Sequence, residues 1–288
     1  MINTELTTAV ENFVMTMCDV TDSDLDSIWQ WKGHDEGVRF SFFVTLLELR
    51  QLAVKLSSER SAGAKLLPLT SAQHILAQYH SAFMDLQASL VGITAKQALL
   101  APGKKDWPVR TIYSHILSAD MNFAAVIRYA LGNHRTGKWL PNPIPDKEYP
   151  RLMGIKQKEF DTLLSSSLSK LISYHRKFHP HILREFSSIS NGELALPAAF
   201  WEETRFHIGY RLHRFEAHMR QHTIQIDKVI TLTGNGPTEA KRLIRMLYNA
   251  LAEVNGTLIF PEDKKNQESI ELARTIESRV KDINKILA

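Results

Sequence analysis

Apolar residues recur at three- and four-residue spacing along stretches of this chain that hold little glycine or proline, and alternating β-branched runs are missing. That period matches the turn of an α-helix, and without a two-residue period there is little from which to build a sheet. The expected fold class is therefore all-α. The spacing predicts helices over about residues 5–17, 37–57, 71–90, 109–131, 154–178, 200–233 and 239–255, with an amphipathic tail helix over about 266–287. Val38, Phe42, Leu46 and Leu49 form one stripe, and Ile75, Tyr79, Phe83 and Leu86 another.

Local punctuation sets the boundaries. Trp107-Pro108 opens the fourth helix, since proline at a helix start lacks only an N–H that would go unpaired there. Gly132-Asn133 is expected to end it, Pro180 to stop the fifth, and Thr238 to cap the seventh. Asp22 or Ser23 could cap a short turn after the first helix. Four prolines between Gly137 and Pro150 are too many for a regular element, so that segment reads as a long crossover. The expected organisation is an N-terminal helical extension over 1–70, a helical bundle over 71–260 and a C-terminal helix over 261–288. Val20-Thr21 through Trp31 to Val38-Arg39 also echoes Ile93-Thr94 through Trp107 to Val109-Arg110. If this is a repeat, Val44 falls where the second copy has His115, and the first copy is a packing element.

The sixth helix carries the chemistry. Ile208, Leu212, Phe215, Met219, Ile226 and Val229 make its core stripe, His222 falls inside that stripe and His218 lies beside it. Residues four apart stack on one helix face with Cβ atoms about 5–6 Å apart, so one divalent ion can engage both rings. In a chain with 12 histidines such a pair can arise by chance, so a third ligand must come from a facing helix. His115, in line with Ile112, Ala119 and Val126, is the best candidate. Its alternative reading is a hydrogen-bonded core histidine.

Trp107-Pro-Val-Arg110 leading to His115, then His218-x-x-x-His222 followed by Gln225-Ile226-Asp227, resembles the DinB or YfiT-like superfamily of metalloenzymes. The likeness covers residues 71–256. It implies a four-helix bundle with a long crossover, with His115, His218 and His222 as ligands of a divalent metal at one end of the bundle cavity. It also implies thiol-dependent transferases, isomerases and hydrolases among relatives. Three neutral imidazoles leave coordination positions open, as in reactive sites. Zinc, nickel and iron are not distinguished by such ligands, and a low-molecular-weight thiol is the cofactor that the resemblance suggests.

Other residues are weighed beside these. His207 and Arg211, eleven and seven residues before His218, continue its face toward a substrate-binding mouth, or else are surface or partner-paired residues. Gln225 and Asn122 are candidate substrate contacts, or simply local polar contacts. His175 and His179 are also four apart, but Arg176, Lys177 and Pro180 mark an exposed basic helix end. Glu216 and Arg220 form an outward-facing pair, and Cys18 reads as a buried, unreactive thiol that excludes an intrachain disulfide. Glycine-rich phosphate loops and His-Glu-x-x-His are both missing, which argues against nucleotide hydrolysis and zincin chemistry.

Composition narrows the partners. The formal charge of +4 is spread over 35 basic and 31 acidic residues, so no concentrated basic face points to nucleic acid. No apolar run approaches the ~20 residues of a membrane span, and no secretory signal is visible, so a cytoplasmic location is expected. The reading that results is a DinB-like enzyme acting on a small molecule, a metal-dependent transferase or hydrolase, with a homodimer left open. The competing reading is a non-enzymatic helical binding or stress-response module whose metal is structural or absent.

Overall fold

The computed structural model describes residues 4–63, 67–138, 144–198, 206–258 and 266–288. The chain is mostly helical. In order it forms α1 (Thr4–Met17), α2 (Asp22–Leu25), a hairpin of β1 (Ile28–Trp31) and β2 (His34–Gly37), α3 (Val38–Ser61), α4 (Ser71–Ser89) and α5 (Val109–Arg135). It continues with α6 (Tyr149–Met153), α7 (Gln157–Leu164), α8 (Leu168–Phe186), α9 (Asn191–Leu194), α10 (Ile208–Leu232), α11 (Glu239–Leu258) and α12 (Gln267–Leu287). Among the described residues no helix is long and apolar enough to cross a membrane.

The hairpin is a correction to the all-helical expectation. Its strands pair antiparallel, with Trp31 opposite His34, across the two-residue turn Lys32-Gly33. Both turn residues have positive φ, 51° and 83°, the combination a right-twisted hairpin favours. Lysine is an unusual occupant of the first position, so the glycine alone signalled the turn. The strands are only four residues long and give almost no alternation to read.

Helix ends differ in three instructive places. α5 runs through Gly132 and Asn133 to Arg135, because Gly137 supplies the stop at φ 63°. The Lys138 N–H returns to the Asn133 carbonyl and the Gly137 N–H to His134, which satisfies carbonyls the helix end would leave bare. Pro180 does not stop a helix but lies inside α8. The missing N–H is tolerated there because Leu171, Phe178, Ile182, Leu183 and Phe186 bury one continuous apolar face around it. The expected helix over 154–178 is in fact two, divided at Ser165 to Ser167, where Ser167 caps α8 by accepting from the Lys170 N–H.

The chain's contacts form two compact units, one of residues 1–68, 83–92 and 236–288, the other of 69–82 and 93–235. In the first, α3 packs on α11 and α1 on α12. Phe13 meets Phe42 edge-on at 5.1 Å, and the Arg279 guanidinium reaches Thr45 and Glu48 from α12. The expected division followed chain order, whereas here α11 and α12 group with the N-terminal helices. The second unit is built on α5, α8, α10 and the first part of α4. Its packing is strongest between α5 and α10, and all six residues of the α10 stripe are buried.

Candidate metal centre

α5 and α10 bring His115, His218 and His222 together. One ligand atom from each lies within 4.8 Å of the others, and among the described residues no other group of three or more metal-ligating side chains meets that condition. The His115 and His218 Nε2 atoms are 3.1 Å apart, and the ring centroids are 4.4–4.9 Å apart. Nitrogens bound at about 2.0–2.1 Å to one tetrahedral ion stand ~3.3 Å from each other, so the donor set fits a divalent cation. The three residues could thus hold a metal ion.

Electrostatics keep His218 and His115 in the form a metal needs. Burial, with the other two histidines and Arg214, pushes His218 down to about 3, and burial with His222 lowers His115. At neutral pH both rings are therefore uncharged. His222 Nδ1 lies 2.8 Å from Gln225 Oε1, an acceptor, so the proton belongs on Nδ1 and the lone pair on Nε2. His218 and His222 are buried, while His115 is half-exposed and meets Trp107 edge-on at 5.4 Å. Phe123 stands perpendicular to His218 at 5.5 Å and closes the inner side.

The other expected residues divide. Of the four candidate substrate contacts, Gln225 touches a triad ring. Asn122 is half-buried on α5 and donates to the Ser118 carbonyl. His207 does not continue the helix face, because it is the extended N-cap of α10, exposed, with Nδ1 2.6 Å from the Ala195 carbonyl oxygen. Arg211 is buried, its guanidinium over the rings of Phe206 and Tyr210 at 5.0 and 5.8 Å. Glu216 and Arg220 pair at 2.7 Å as expected. Cys18 is buried, and burial beside Asp19 pushes its thiol up.

His175 and His179 correct the reading of an exposed basic helix end. Both are fully buried, whereas Arg176 and Lys177 face solvent. Asp120 accepts from Tyr79 at 2.7 Å and from His175 at 3.0 Å, and the second His175 nitrogen lies 3.1 Å from the Tyr113 hydroxyl. His80 and His179 face each other at 3.0 Å. Burial pushes His80 down to about 3 and His179 well below its usual value, so this core pair is neutral. The signal lay in α4 and α5: Tyr79, Tyr113 and Asp120 are polar residues on faces that the apolar periodicity turns inward.

Arg214 was also missed. It precedes His218 by four residues, the same spacing that joins the histidine pair, and its guanidinium lies 5.7 Å over the Phe123 ring. Comparison of the chain with protein-family models, curated proteins and solved structures finds no match.

Proposed function

We propose that this protein is a metal-dependent enzyme of the DinB-like type that acts on a small molecule at His115, His218 and His222. The observation that carries the reading is the convergence of three imidazoles from two helices, with two Nε2 atoms 3.1 Å apart. A divalent ion held by these three residues would supply Lewis acidity and would lower the pKa of a bound water or low-molecular-weight thiol. The protein's own residues supply the rest. Gln225 fixes the His222 tautomer, Phe123 excludes water on the inner side, and the half-exposed edge at His115 and Trp107 gives access. Group transfer to or from a thiol and hydrolysis are the reactions this arrangement suits.

The test is metal analysis of protein purified without an affinity tag, beside His115→Ala and His222→Ala. The wild type is expected to hold near-stoichiometric zinc, nickel or iron, and both variants to lose it. A wild type that takes up none of these ions overturns the proposal.

A further inference from the structure

A guanidinium that no carboxylate among the described residues pairs with stands on the same helix as two rings of the triad. Arg214 is half-exposed on α10, one turn before His218. Its guanidinium rests on the Phe123 face, and Phe123 also touches His218. Among the described residues no carboxylate pairs with it. Glu216, on the same helix, is taken by Arg220, and Asp120 is buried against Tyr79 and His175. A guanidinium beside a donor set for a dication adds positive charge on this side of the centre, and among the described residues no carboxylate offsets it.

We infer that Arg214 forms an anion subsite next to the three-histidine centre, and that the molecule taken there carries a carboxylate. This rests on the metal reading of the triad. The planar N–H fork suits carboxylate and phosphate oxygens alike, but the single charge of one guanidinium matches a carboxylate and not a phosphate dianion. Arg211, one turn earlier on α10, is turned to Phe206 and Tyr210. The cation–π contact with Phe123 restricts the Arg214 side chain, which lowers the entropy lost on binding. On α5, half-exposed Ser118 and Ala119, both small, follow His115 by one turn.

The experiment titrates mercaptoacetate and its uncharged analogue mercaptoacetamide into cobalt-loaded full-length protein, read by the visible absorption of cobalt. Both probes offer the same sulfur donor, so their difference reports the carboxylate. Wild type is expected to bind mercaptoacetate about tenfold more tightly, and Arg214→Gln to remove that preference without changing cobalt stoichiometry. Arg214→Lys keeps the charge and loses the fork, so part of the preference returns. Equal affinities in wild type, or a preference that survives Arg214→Gln, overturns the subsite. The same probes are added to metal-free protein while the arginine Nε–H resonances are followed by NMR. If cobalt does not bind at all, the metal reading falls, and the subsite stands only if the acid alone shifts the Arg214 signal.

Discussion

His222 owes its usable lone pair to Gln225, and the strength of that support can be measured. Gln225→Ala frees the ring to change tautomer and is expected to weaken zinc binding about tenfold in a chelator competition, with the helix content unchanged. An unchanged affinity would show that the hydrogen bond does not orient the ligand. His80 makes a second prediction at this scale. Its ordinary value of 6.5 applies in the unfolded chain, and burial lowers it to about 3 in the fold. The fold holds the uncharged ring, so this stability is complete above pH 6.5 and is lost as pH falls toward 3, by up to about 1.4 kcal/mol per pH unit. Urea midpoints taken from pH 6.5 down to about pH 4.5 should therefore fall, and fall less steeply in His80→Asn, which keeps a polar atom but does not titrate in this range. Equal slopes would count against the assignment. The triad was legible because His218 and His222 are related by helix register alone, and apolar neighbours gave the direction of His115. His175 and His179 were not legible, since their flanking charges describe one side of α8 and their burial is decided by α4 and α5.

Elements test whether local rules or packing prevail. Pro180 breaks the hydrogen-bond ladder inside α8, so Pro180→Ala, which restores an N–H, is expected to raise stability by about 1–3 kcal/mol. The check is a higher denaturant midpoint at unchanged slope; a lower midpoint would mean that the fold depends on the proline ring itself. In the hairpin, Gly33 sits at φ 83°, and Gly33→Ala should cost about 1 kcal/mol for the strained backbone. Helix positions were readable from periodicity, because amphipathic faces repeat along the sequence. Where the sequence misled, the residue's propensity opposed helix and lost, at Pro180 to the apolar face buried around it and at exposed Gly132 because the stop is made further on, at Gly137. The hairpin escaped because a Lys-Gly turn between four-residue strands carries too little pattern to detect.

At the scale of the whole molecule, the pairings α1 with α12 and α3 with α11 join segments that periodicity cannot connect. An amphipathic face states that a partner exists, not which one it is. Leu6, Val10 and Phe13 of α1 lie buried, as do Ala273, Ile276 and Ile283 of α12. Deleting residues 266–288 should therefore lower the far-UV helical signal by more than the share of the deleted helix, as α1 loses its cover. A loss limited to that share would show that α1 is held without α12. The same pairing sets a timetable during synthesis. α12 follows α1 by roughly 250 residues, so at about 5–20 residues per second α1 leaves the ribosome some 12–50 s before its partner is made. For that interval the nascent chain carries an uncovered apolar helix, the kind of surface that chaperones bind.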